Sequence, residues 1–272
     1  MGTLYLVATP IGNLEDLSAR ALRILREVKL IAAEDTRVTR NLLNHFDIHT
    51  PLTSYFEHNK LSKLDSILPA LAGGDVALVS DAGSPGLNDP GYELVRAALE
   101  AGYQVSPVPG PASPIAALTA SGLPADSFLY LGYLPRKSSE RKSLLGRVSD
   151  QLHTLIFLET PHRLLDSLVD LESVLGDRQI ALARELTKLH EEVWRGRLSE
   201  ARKYFKEPRG EFVLVVSGKS KAAIGKWTEK KLLAEIKKQS KMGRSARDVS
   251  AGLAEISGWK KRDIYSLITR ET

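Results

Sequence analysis

The rhythm of polar and apolar positions changes near the middle of the chain. Up to about residue 121, short apolar runs alternate with segments of helical period. Strands are predicted at Leu4 to Ala8, Leu30 to Ala33, Val76 to Ser80 and Val105 to Val108. Helices are predicted at Leu17 to Arg26, Arg40 to His45, Ser62 to Ala72, Tyr92 to Ala101 and Pro114 to Ser121. This βαβα order calls for a mainly parallel sheet covered by helices on both faces. Ligands of such sheets sit beyond the carboxyl ends of the strands.

Beyond Gly122-Leu123-Pro124 polar turns become frequent. Strands are predicted at Phe128 to Tyr133, Thr154 to Leu158, Ile180 to Arg184 and Phe212 to Ser217, with a helix at Arg163 to Leu175. The frequent turns allow antiparallel pairing, so 122–218 reads as a second α/β domain with a mixed sheet. Lys219 to Lys226 reads as a polar connector. Glu229 to Gln239 has an amphipathic pattern, and Ala246 to Ile256 and Lys260 to Ile268 are two short helices joined at Gly258. That pair suits a helix-turn-helix or an ordinary helical hairpin. The fold class is therefore α/β: domains at 1–121 and 122–218 with a ligand cleft, and a small helical domain at 219–272.

Composition narrows the chemistry. None of the 272 residues is cysteine, which excludes disulfides and thiolate chemistry, and the six histidines show no paired metal spacing. Metal-dependent catalysis is not expected. No stretch approaches the roughly 20 apolar residues that cross a bilayer, and the first residues lack the basic segment of a secretory signal. A soluble, cytoplasmic protein with no membrane partner is expected. The net charge of +5 is unevenly spread. Residues 219–272 hold 14 Lys and Arg against 6 Asp and Glu, a balance of +8, whereas 1–218 carry −3. A basic tail suits a polyanion, nucleic acid first, or serves only as a solvated face.

Four loops at predicted strand ends converge on one crevice. The first is Thr9-Pro10-Ile11-Gly12-Asn13-Leu14, which lacks the Gly-x-Gly-x-x-Gly of dinucleotide enzymes. Glu34-Asp35-Thr36-Arg37 follows Ala33, and Asp35 either does chemistry or caps the next turn. Ser80 to Gly91 is a glycine- and proline-rich loop carrying Asp81 and Asp89, longer than most αβ connections. The fourth is Pro109-Gly110-Pro111-Ala112-Ser113-Pro114. Carboxylates, glycine and small hydroxyls without lysine suit a cationic, adenosine-bearing ligand better than a triphosphate. Trp194, Trp227 and Trp259 read as packing residues, and His162 as a helix-start residue.

Glu34-Asp35-Thr36-Arg37, Ser80-Asp81-Ala82-Gly83-Ser84-Pro85 with Asp89-Pro90-Gly91, and Val108-Pro109-Gly110-Pro111 together resemble the tetrapyrrole methylase superfamily. The likeness continues through Gly132 to Lys137, Phe157 to Arg163, Arg184 to Lys188 and Gly210 to Phe212. Within that superfamily the chain most resembles the bacterial branch that methylates the ribose 2′-hydroxyl of a cytidine in the decoding centre of small-subunit ribosomal RNA. The resemblance implies S-adenosylmethionine between two α/β domains, a homodimer, and the small ribosomal subunit RNA as partner. It implies a donor site built from Pro10, Asp81, Ala82, Gly83, Pro85, Pro111 and Ser113, closed by Phe157, Leu158, Leu186 and Gly210. Two positions depart from the pattern: Ala112-Ser113 reverses a frequent Ser-Ala order, and Asn88 replaces a common Ser.

An alcohol needs a base to attack a methyl group at neutral pH. Glu34 and Asp35 are the candidates, with Arg37 and Lys188 orienting phosphate or the hydroxyl; Arg37 alternatively only pairs with Asp35. Arg136, Lys137, Arg141, Lys142 and Arg147 form a second basic stretch expected on the RNA backbone, and Lys260, Lys261 and Arg262 are the tail positions expected there. A tetrapyrrole C-methyltransferase and a non-catalytic RNA-binding protein remain open as alternatives.

Overall fold

A computed structural model describes residues 2–220 and 227–270. The first sheet contains β1 (Thr3–Val7), β2 (Leu30–Ala33), β3 (Leu52–Ser54), β4 (Val76–Val79) and β5 (Gln104–Val108), in the order β3-β2-β4-β1-β5. Every pair in it is parallel. The helices α1 (Ala19–Glu27) and α2 (Thr36–His45) cover one face, where Ile24, Leu25 and Leu43 pack on Val7, Ile31, Ala77 and Val79. On the other face α3 (Lys60–Ala72) and α4 (Tyr92–Glu100) bring Ile67, Leu71, Leu94 and Ala98 against Leu4, Ala32, Val76 and Leu78. All four residues of β4 are thus buried, which is why its sequence is an unbroken apolar run.

The second sheet is mixed, as the turn density predicts. It orders β6 (Phe128–Tyr133), β7 (Thr154–Glu159), β10 (Phe212–Val216), β8 (Gln179–Arg184) and β9 (Glu192–Arg197). Only β6 and β7 run parallel. One face packs on α6 (Ser138–Val148), α7 (Pro161–Leu175) and α8 (Leu198–Tyr204). The opposite face is covered by α5 (Ser113–Ser121), whose Ala117 and Leu118 contact Ile156, Ala181, Ala183, Val213 and Val215. So α5 starts from a loop of the first sheet and lies on the second. Its far end is held by Arg195, which donates to the carbonyls of Ala120 and Ser121.

Four elements were not foreseen. β3 has three residues, too few to show a period. β9 is a charged edge strand, and charge is how an edge avoids pairing with other chains. α6 lies inside the stretch read only as basic, and the seven-residue α8 follows β9 directly. Trp194 stacks on Tyr204 at 5.5 Å, a packing role as expected.

The tail forms α9 (Glu229–Lys241), α10 (Ala246–Ser257) and α11 (Lys261–Arg270) around its own core of Leu232, Ile236, Val249, Leu253, Ile264 and Ile268. Gly258 joins the last two helices at φ 69°, a left-handed turn that glycine adopts without strain. Of the expected connector, residues 221–226 lie outside the described residues.

One expected RNA contact is corrected. Arg141 is 3% exposed, because the inward face of α6 buries it. Its guanidinium pairs with Asp170 at 2.5 Å and donates to the carbonyls of Pro135 and Arg136. Asp170 also accepts from Ser138 and pairs with Lys142 at 3.3 Å. Arg136, Lys137 and Arg147 remain exposed. Removing one partner of a buried pair strands the other charge, so Arg141→Ala should cost about 3–5 kcal/mol in urea denaturation. Affinity of the folded variant for RNA should stay unchanged.

Candidate active site

The four loops at the carboxyl ends of β1, β2, β4 and β5 are tied to one another by hydrogen bonds. Thr9 and Gly83 form a two-way backbone bridge, with N–H to O distances of 2.9 and 3.0 Å, and the Thr9 hydroxyl donates to Ser80 O at 3.0 Å. Gly83 makes this bridge at φ 84°, a conformation that strains any side-chain-bearing residue. The loop after β2 joins through Asp35 N–H to Asp81 Oδ1 at 2.9 Å and Asp81 N–H to Glu34 Oε2 at 3.3 Å. Ser84 Oγ donates to Pro111 O at 3.5 Å, which adds the fourth loop.

Between these loops and the second sheet lies a cavity of about 240 Å³. Of the residues expected at the donor site, Asp81, Ala82, Gly83 and Ser113 line it from the first domain, and Leu158 and Leu186 from the second. Asp89, Asn88, Tyr130, Tyr133 and Glu159 line it as well. Five expected donor-site residues stand elsewhere. The Phe157 side chain is fully buried on the opposite face of β7, among Phe205 and Phe212, because neighbouring strand residues point to opposite faces. Gly210 packs against Glu185, while Pro85 and Pro111 belong to the loops but do not line the cavity. Pro10 faces a second cavity, described below.

The lining is acidic. It holds Glu34, Asp81, Asp89, Glu159 and Glu211, with no Lys, Arg or His. Glu159 pairs with Arg163 at 2.5 Å, and Glu211 with Lys188 at 3.1 Å. Glu34, Asp81 and Asp89 form no salt bridge among the described residues. Burial raises the carboxyl pKa of Glu34 and of Asp81. For Asp89, burial and then repulsion by Glu34 push the pKa up to about 6, partly relieved by the Ser80 hydroxyl.

The other candidate residues have defined tasks. Asp35 is the N-cap of α2: its carboxylate accepts from Arg37 N–H at 2.8 Å and pairs with the Arg37 guanidinium at 2.6 Å. That hydrogen bond holds the Asp35 pKa down at about 2, which makes it a weak base. Lys188 bridges Glu185 at 3.0 Å and Glu211, and its chain lies against Gly12 of the first domain. Glu185 and Thr187 beside it adopt φ of 50° and 66°. Leu186, between them, is thereby directed into the cleft.

The family model for Tetrapyrrole (Corrin/Porphyrin) Methylases matches residues 3–202. The chain belongs to that family. A Synechocystis sp. protein named "Ribosomal RNA small subunit methyltransferase I" is 47% identical over 271 residues, covering 98% of this chain and 97% of the relative. A Thermotoga maritima protein of the same name is 48% identical over 222 residues, covering 80% of this chain but 100% of the relative. Among solved structures, uroporphyrin-III-C-methyltransferase from Thermus thermophilus superposes with a TM-score of 0.55 at 25% identity, over 80% of this chain and 94% of the other. As a member of this family the protein is a methyltransferase, and its methyl donor is S-adenosylmethionine.

The cleft fits that donor. A sulfonium is cationic, and three lining carboxylates outside any salt bridge favour it, whereas a phosphate ligand would be repelled. Apolar Ile11, Leu158 and Leu186 provide surface for the uncharged parts. Asp89 is charged only above about pH 6, so donor affinity should fall as the pH drops from 7.5 to 5. Calorimetry should show a smaller loss for S-adenosylhomocysteine, which lacks the sulfonium charge.

Proposed function

We propose that the protein methylates the ribose 2′-hydroxyl of a cytidine in the decoding centre of small-subunit ribosomal RNA, acting in the cytoplasm as a homodimer. The observation that carries this reading is the acidic cleft between two domains in a chain that aligns over nearly its whole length with a small-subunit ribosomal RNA methyltransferase. The likeness to a uroporphyrin C-methyltransferase supports the fold and the donor site equally well. A tetrapyrrole acceptor, however, leaves the basic stretches on α6 and the tail without a purpose.

When bound, S-adenosylmethionine supplies an activated methyl group. The chain's residues then have three tasks. First, they hold donor and hydroxyl in line, a contribution of roughly 7–11 kcal/mol in well-oriented reactions. The bridged loops and α5, fixed to both sheets, are rigid enough for that. Second, a carboxylate takes the hydroxyl proton. Glu34 and Asp89 have the raised pKa and the cavity position for it, whereas Asp35 secures α2 and Arg37. Third, Lys188 keeps the two domains in register through Glu185, Glu211 and Gly12.

RNA is held by Arg136, Lys137 and Lys142 on one side and by Lys260, Lys261 and Arg262 in the tail, all exposed. The tail is an accessory to this binding. The Thermotoga relative aligns along its entire length while leaving a fifth of this chain unmatched.

Labelled S-adenosylmethionine should transfer its methyl group to unmodified small ribosomal subunits and not to uroporphyrinogen; the reverse result would reassign the acceptor. Replacing Lys260, Lys261 and Arg262 together by Gln should weaken RNA binding and lower the slope of log affinity against log salt by about 2–3. An unchanged slope would leave the tail to solubility.

A further inference from the structure

The cleft of about 240 Å³ is smaller than most small-molecule sites, which leaves little room beside a donor. The acceptor nucleotide needs a place of its own that opens onto the donor. A second cavity of about 400 Å³ meets this requirement. One wall is the loop Thr9 to Leu14, the other is the outer face of α2, and the floor is Ser80 and Asp81. Asp81 also lines the donor cleft, so the two cavities share a wall.

The helical face involved has a clear pattern. Val38, Asn41, Leu42 and His45 recur at the i, i+3, i+4, i+7 spacing of a single stripe, with the buried Thr39 at its base, while Leu43 on the other side is 2% exposed in the core. Leu42 is half-buried with one side on the core of the first sheet, and Val38 is 45% exposed at the groove. Opposite it stand Pro10 and Leu14. The groove therefore sets Val38 and Leu42 against Pro10 and Leu14, with the Asn41 carboxamide and the His45 imidazole on the helix side. Such walls take a flat heteroaromatic ring on its faces, and an amide reads a base edge because it both donates and accepts. Arg37 and Arg40 sit on α2 beside the Asn41 edge of the stripe, both exposed, where a nucleotide's phosphates would lie.

We propose that this groove binds the base of the acceptor nucleotide, turned out of single-stranded RNA, and presents its ribose to the donor across Asp81. The inference rests on the ribosomal RNA reading above. The charge of the rim argues against a second copy of this chain as occupant. Arg40, in no ion pair among the described residues, favours a polyanion, while Arg37 shares its charge with Asp35.

Val38→Trp blocks the groove, and Asn41→Ala removes the amide; both positions are exposed, so both variants should fold, which thermal melts verify. With unmodified small subunits as substrate, Val38→Trp should raise KM for RNA at least about tenfold, and Asn41→Ala about 3- to 10-fold, the range of one lost hydrogen bond. Affinity for S-adenosylmethionine, read by calorimetry, should stay within about twofold for both. If the wild-type protein labels the subunits and both variants keep its KM, the groove proposal is overturned while the RNA reading stands. If the wild-type protein labels no RNA, both are overturned. A shift of oligomeric state in sedimentation with KM unchanged would assign the groove to a protein contact and overturn the proposal.

Discussion

The backbone bridge between Thr9 and Gly83 is the interaction on which the rest of the site depends. It joins the loops after β1 and β4, the neighbouring strands whose connections leave in opposite directions. Without it the loops at the carboxyl ends of these two interior strands would move independently, and Asp81 in the second would have no fixed place. With it, Asp81 stands at one place, from which it fixes Asp35 N–H and receives Glu34 across its own N–H. The wall between the two cavities is a consequence of this stitching.

Holding three carboxylates outside any salt bridge in a partly buried cleft is unfavourable for the folded protein. The elevated pKa of Asp89 expresses that cost, since burial and Glu34 both oppose its charge. The stability comes from elsewhere: a parallel sheet buried on both faces, a mixed sheet with helices on either side, and the buried Arg141–Asp170 pair. An incoming cation relieves the repulsion, so part of the donor's affinity is stored in the apo cleft. The helix α5 links the two parts of this arrangement, because its first residues line the cleft and its body is packed on the second sheet.

Much of the site was legible. Glycine and proline at strand ends marked the four loops, and the absence of lysine from them marked the charge of the ligand. Asp81, Ala82, Gly83, Ser113, Leu158 and Leu186 all reach the cavity. Other residues were misjudged for physical reasons. Phe157 and Leu158 are equivalent by position in a motif, but the pleat sends them to opposite faces of β7. Arg141 was grouped with its basic neighbours, yet one turn of α6 separates surface from core. Glu34 and Asp35 were taken together as bases, and only one of them caps a helix.

By itself the sequence determined the strand and helix order, the parallel first sheet, the mixed second one, and the acidic character of the loops, since period, turn residues and charge are properties of contiguous segments. Only the tertiary structure decided which carboxylate has its pKa pushed up to about 6, which arginine is buried, and that the outer stripe of α2 faces the loop after β1. Those depend on burial and on distances between segments far apart in the chain, such as Asp35 and Asp81, 46 residues apart and joined by one hydrogen bond.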